Sequence, residues 1–285
     1  PRSERDGYVF SSVNTVVNAF HIHALRLMAE LAAALRKIDE ADHFSREADR
    51  THAAFQKTLF DDSAGNYRDG IDTEHTSLHA SLFPLAFGLV PAEHRGDVTN
   101  WLAASGMRCS VYAAQYLLEG LFVNGAGDRA LELITAPGDR SWRHMVESGA
   151  TITWEAWDHK YKPNQDWNHA WGAAPANLLP RFVLGAQPTS PGWESVRIRP
   201  VPGKLTIARG KIPTPRGPIS VDWKNGEAFE LLLSLPKGMG AQIELPGDSG
   251  TVFLNGSAVQ AIVRGDYLAV SDPVSGQAHF EVRPK

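Results

Sequence analysis

The chain of 285 residues predicts a helical domain followed by an all-β domain. Up to about residue 184, apolar residues recur at three- and four-residue steps, the period of a helix face. Beyond Gly185 the period shortens to alternating runs of a few residues, punctuated by Pro188, Pro191, Pro200, Pro202, Pro213, Pro215 and Pro218. Helices first and strands afterwards argue for two consecutive domains rather than a βαβ sheet, with the border at 185–192. Residues 1–186 then form the helical part and 187–285 an antiparallel β-sandwich, a division that suits the length.

Val13, Val16, Val17, Phe20, Ala24, Leu27, Met28, Leu31 and Leu35 predict a helix over 12–37 with these side chains on its buried face. Ala41, Phe44, Ala48, Phe55 and Leu59 predict an antiparallel partner over 40–60. Its other face carries Asp39, Glu40, Asp42 and Glu47 among Arg36, Lys37, Arg46 and Arg50, a solvated surface of close ion pairs. A turn at 65–72 follows, then helices over 76–88, 92–104, 110–124 and 126–135, separated by Pro91, Ser105-Gly106, Gly125 and Gly127. Residues 151–157 read as an extended segment or loop, and 168–184 as a helix whose limits Pro175 and Pro180 disturb. Strands are expected at 196–199, 219–223, 229–235, 241–245, 251–254, 261–263, 267–270 and 278–282.

A net charge of −4 with scattered Lys and Arg gives no basic field for nucleic acid. No apolar run reaches the roughly 18 residues of a membrane span. The single cysteine, Cys109, forms no internal disulfide and reads as a small buried hydrophobe. No G-x-G-x-x-G, P-loop or G-x-S-x-G pattern occurs, so no cofactor is expected. The amino-terminal PRSERDGYVF has no initiator Met and no signal-peptide pattern; it reads as an internal cut, which leaves the compartment open.

Chemistry concentrates between Thr151 and Trp171, where Trp154, Trp157, Trp167 and Trp171 stand beside Glu155, Asp158, Asp166 and His169. Indole faces suit the C–H faces of a pyranose, and carboxylates suit proton transfer at a glycosidic oxygen. Glu155, between Trp154 and Ala156, is a candidate base whose basicity an aromatic setting would raise, and Asp158 competes with it. Asp166 or Asn168 could cap a helix start, and His169 could either donate to a sugar hydroxyl or pack structurally. His75 and His79 have the spacing of half a metal site but lack the adjacent Glu and a third ligand, so no metal is expected.

The segments GATITWEAWD and DWNHAWGAAPANLLPRFVLGAQPTSPGWESVRIRP resemble the carboxy-terminal catalytic region of bacterial α-L-rhamnosidases, glycoside hydrolase family 78. The resemblance extends to RDGYVFSSVNTVVNAF, TEHTSLHASLFPLAFGLVP and CSVYAAQYLLEGL and so covers nearly the whole chain. It implies an (α/α)6 toroid of six helical hairpins followed by a β-sandwich, of which the six or seven helices expected here make the second half. It also implies a rhamnose-containing glycoside as substrate, cleaved with inversion. Glu155, in the W-E motif, is implied to be the water-activating base. Trp154, Trp157, Asp158, His169 and Trp171 fall at matching motif positions as sugar-site or supporting residues, with His79, Tyr112 and Trp142 as further candidates. The general acid of the family lies in an upstream motif with no counterpart here. The expectation is a chain that lacks half the catalytic pair and that acts with the missing amino-terminal part of the same protein.

Overall fold

A computed structural model describes residues 4–284. The chain divides into two compact units, one ending at Ala174 and the other beginning at Pro175.

The first unit opens with helix α1 (Thr15–Ala34), capped by the Asn14 side chain, which accepts from the Val17 N–H at 3.0 Å. Arg36, in the left-handed region at φ 58°, reverses the chain into α2 (Ile38–Leu59). The two helices form the expected hairpin, but α1 buries a different face from the one its pattern predicts. Its enclosed residues are Thr15, Ala19, Ile22 and Ala32, which let the helices approach closely. Val13, Val17, Leu27, Met28, Leu31 and Leu35 are exposed, in a stripe that runs the length of the helix. Full burial of an aliphatic side chain is worth roughly 1.5–3 kcal/mol, so this half-exposed stripe leaves several kcal/mol of burial unused. On α2 the predicted face holds, with Ala48, Phe55 and Leu59 buried.

Where a simple turn was expected, Phe60–Asp61 (β1) pairs antiparallel with Asn66–Tyr67 (β2). Asp61 closes the turn, accepting from the Ser63 hydroxyl and the Ala64 N–H and pairing with Arg68. These partners, Ser63 foremost, hold its carboxyl down at about 2. Then follow α3 (Leu78–Ala86), α4 (Arg95–Ser105), α5 (Val111–Val123) and α6 (Gly127–Ile134), close to their predicted spans. Helix α7 (Trp142–Glu147), capped by Ser141, has only six residues, too few to show a period. The predicted helix over 168–184 is broken into a 3-10 turn at Ala170–Gly172, a short α8 (Ala174–Leu178) and a π turn at Leu179–Val183. Pro180 has no N–H to continue the α ladder, which accounts for the wider turn.

In the second unit, strands β3 (Ala186–Pro188), β4 (Ser195–Ile198), β5 (Ile207–Ile212), β6 (Ile219–Asn225), β7 (Phe229–Ser234) and β8 (Gly240–Pro246) come first. They are followed by β9 (Thr251–Leu254), β10 (Ser257–Val259), β11 (Ala261–Arg264), β12 (Tyr267–Val270) and β13 (Gln277–Arg283). A six-stranded sheet has the order β10-β9-β13-β7-β6-β5 and a five-stranded sheet β11-β12-β8-β4-β3. Neighbours are antiparallel except β4 and β8, which run parallel. Each sheet buries one face: Val221, Leu233 and Phe280 alternate inward in the larger, Val196, Ala241 and Ile243 in the smaller. Strand β5 carries too few inward apolar residues to be read from the sequence. Its Gly210 is required, because a Cβ there would lie 2.5 Å from Leu184.

Candidate active site

Residues 153–169 form a loop whose two arms pair like a hairpin. Glu155 N–H donates to Asp166 O at 3.0 Å and His169 N–H to Thr153 O at 2.8 Å. The tip is folded by two turns, Tyr161 N–H on Asp158 O and Gln165 N–H on Lys162 O, both 3.0 Å. The buried Gln165 side chain pins the second turn to the near arm, accepting from the Ala156 N–H at 3.1 Å. Gly172 follows where any Cβ would meet the Trp154 carbonyl at 2.7 Å, so the chain returns directly under the near arm.

Glu155 sits at the joint of these arms, its side chain 11% exposed. Its Oε1 accepts from the Lys162 ammonium and its Oε2 from the Asp166 N–H at 3.0 Å. The aromatic setting predicts a raised pKa, and the structure reverses that expectation. Lys162, then the Asp166 N–H, outweigh the opposing effect of burial and hold the carboxyl below its ordinary value. His169 Nδ1 lies 3.4 Å from Asp166 Oδ2. Oxygen and nitrogen atoms of Glu155, Asp166 and His169 fall within 4.8 Å of one another, and Lys162 brings a positive charge to that group.

The competing carboxylate, Asp158, is engaged elsewhere. It accepts from the Lys160 N–H at 3.0 Å and pairs with His144 Nε2 at 2.7 Å. The Lys160 N–H is the first cause of its lowered pKa. Asp158 thus braces the loop against α7.

The tryptophans divide into foundation and wall. Trp157 is fully enclosed, donates to Cys109 O at 2.7 Å and meets Trp142 edge to face at 4.9 Å. Trp142, 7% exposed, donates to Gly172 O at 2.6 Å. Both rings are buried, which fits the supporting role the resemblance allows for Trp157 and places Trp142 in the packing beside it. Trp154 is also buried, under the edge of Trp167. Trp171 is 44% exposed, donates to Glu155 O at 3.2 Å and lies 4.2 Å from the His169 ring.

From Trp171 an aromatic series continues through Tyr112 (5.5 Å), Tyr116 (5.7 Å) and Phe83 (5.2 Å) to His79 (6.4 Å). It links the sequence-predicted residues His169, Trp171, Tyr112 and His79 through one series of ring contacts, by way of the buried Phe83. His79 lines a pocket of about 250 Å³ with Tyr8, Phe10, Asn14 and Val17. Its Nδ1 has no partner among the described residues, and burial lowers its pKa to about 4, so the ring is neutral at pH 7. His75, outside the helix, instead pairs with the buried Asp69 at 2.7 Å. Sequence reasoning missed Lys162, His144 and Gln165. It also missed Glu4, whose buried carboxyl is pushed up by desolvation against the opposing N–H of Trp157.

Helical hairpins leading into antiparallel sheets, with a carboxylate set among indoles, make the architecture of the helical-hairpin glycosidases. Residues 1–183 match the bacterial alpha-L-rhamnosidase 6 hairpin glycosidase domain, and residues 185–257 the bacterial alpha-L-rhamnosidase C-terminal domain. The chain belongs to that family. An alpha-L-rhamnosidase of Alteromonas sp. (strain LOR) is 26% identical over 96% of this chain and 30% of its own length. The chain therefore spans about 30% of this relative. The fold matches an alpha-L-rhamnosidase of Dictyoglumus thermophilum with a TM-score of 0.83 at 22% identity, over 93% of this chain and 31% of that one. It also matches a Streptomyces avermitilis alpha-L-rhamnosidase, solved in complex with L-rhamnose, with a TM-score of 0.80 at 24% identity, over 98% of this chain and 28% of that one.

Proposed function

We propose that this chain carries the water-activating side of an inverting α-L-rhamnosidase site, with Glu155 as general base. The observation that carries the reading is the Glu155 carboxylate, held ionised beside the exposed Trp171 and His169. Each carboxylate oxygen accepts one bond from the protein, which leaves a further lone pair on each for water. Water deprotonated there attacks the anomeric carbon from the face opposite the leaving oxygen, and the first product is β-L-rhamnose. Trp171 supplies an apolar face and His169 a donor for a sugar hydroxyl.

The proton for the leaving oxygen comes from a carboxylic acid outside residues 1–285, about 6.5–9.5 Å from Glu155 in the assembled site. Further helical hairpins of the same longer protein cover the exposed stripe of α1 and bring that acid. The test is hydrolysis of p-nitrophenyl α-L-rhamnoside by the longer protein, with the anomer followed by proton NMR. A panel of other p-nitrophenyl glycosides separates rhamnose from another sugar specificity.

A non-catalytic sugar-binding role is favoured by one observation, that both Glu155 oxygens are already engaged. Under that reading, calorimetry finds rhamnose bound and the longer protein leaves the rhamnoside uncleaved.

A further inference from the structure

We propose that Lys162 is a positioning residue for Glu155: its ammonium fixes one carboxylate oxygen so that the free lone pairs face the attacking water. The proposal rests on Glu155 as the base, and on geometry that places Lys162 with unusual firmness for a loop lysine.

Lys162 is the first residue of the turn closed by Gln165 N–H on its carbonyl, with Pro163 and Asn164 at the corner. Proline fixes φ at the second position of such a turn and so limits the angles Lys162 can present. Gln165, at the far end, is buried and tied to Ala156, the neighbour of Glu155. Both ends of the Lys162–Glu155 pair thus hang on one hydrogen-bonded frame, which brings the Lys162 backbone within reach of Oε1. The Asp166 N–H holds Oε2 from the opposite arm. A carboxylate gripped at both oxygens cannot rotate, which matters because a displacement of about 1 Å can cost a hundredfold in rate.

The charged groups facing this pair are few. Asp166 and His169 stand on the far arm, and Glu4 faces Lys162 from the amino-terminal segment with its carboxyl pushed up by burial. With Lys162 neutralised, His169 and the Asp166 N–H remain to favour the ionised form of Glu155. The carboxyl should therefore titrate at higher pH, and a base that must be ionised should lose activity earlier on acidification.

Two readouts test this with Lys162→Met and Lys162→Arg. In the 285-residue chain, carbon-13 NMR of the glutamate carboxyls, assigned with Glu155→Gln, should show the Glu155 midpoint higher in Lys162→Met and nearly restored in Lys162→Arg. In the longer protein, Lys162→Met should lower kcat about ten- to a hundredfold with KM within about threefold, and should raise the acidic limb of kcat/KM. An unchanged Glu155 midpoint in Lys162→Met overturns the pairing. A raised midpoint with kcat unchanged overturns the positioning role. Wild-type hydrolysis by Glu155→Gln would refute the base assignment itself, whatever the NMR result.

Discussion

Replacing Trp157 by Phe separates a foundation residue from a sugar-binding one. The indole is fully enclosed and its N–H donates to the Cys109 carbonyl at 2.7 Å. Phe leaves that buried acceptor unpaired, at about 1–3 kcal/mol. The smaller ring also leaves space beside Trp142 and the buried Cys109, for about 1–2 kcal/mol more. A loss of about 2–5 kcal/mol, with a urea m-value near 2 kcal/mol/M for a unit of this size, lowers the unfolding midpoint by about 1–2.5 M. The assay is urea denaturation of the 285-residue chain followed by circular dichroism at 222 nm, which reports the helical unit. A midpoint within about 0.2 M of wild type, together with weakened rhamnose binding, would refute the reasoning and return Trp157 to the sugar wall.

The exposed stripe of α1 predicts that the 285-residue chain self-associates: light scattering should give a mass that rises with concentration, and Leu31→Glu with Leu35→Lys should lower it to the monomer's. Equal masses for the two proteins would contradict the docking role of that face. Asp61 makes a pH prediction. Its folded pKa of about 2 lies below its ordinary 3.8, so its stabilisation is complete above the unfolded value and is lost as pH falls through the folded one. The stability gap between wild type and Asp61→Asn, measured by urea at pH 6, should shrink below pH about 4 and close near pH about 2.

The helices were legible where apolar spacing was long and regular, and α2 buries the face its pattern names. The α1 pattern was read correctly as amphipathic but its buried side was not. Periodicity marks a helix as amphipathic without naming what each side meets: here Thr15, Ala19, Ile22 and Ala32 are enclosed while Val17, Leu27, Met28 and Leu31 meet solvent. Helix α7 escaped because six residues show too little of a 3.6-residue period, and strand β5 because only Ile212 of its residues is buried. In the site, the W-E motif pointed to Glu155, but the direction of its pKa did not follow from neighbours in sequence. The deciding groups, Lys162 and the Asp166 N–H, lie seven and eleven residues on and are brought back by the two turns of the loop. The Pro163-Asn164 corner, directly after Lys162, was the available signal for it. For Trp142 and Trp157, composition alone cannot separate an indole that lines a pocket from one that holds it up.

The role of Glu155 as the water-activating base is tested most directly by kcat/KM on p-nitrophenyl α-L-rhamnoside for Glu155→Gln in the longer protein proposed above. The expected result is a fall of at least about a hundredfold with the wild-type unfolding midpoint retained, since losing the general base alone is worth about 10²–10⁴. A variant that hydrolyses the rhamnoside at the wild-type rate would contradict it.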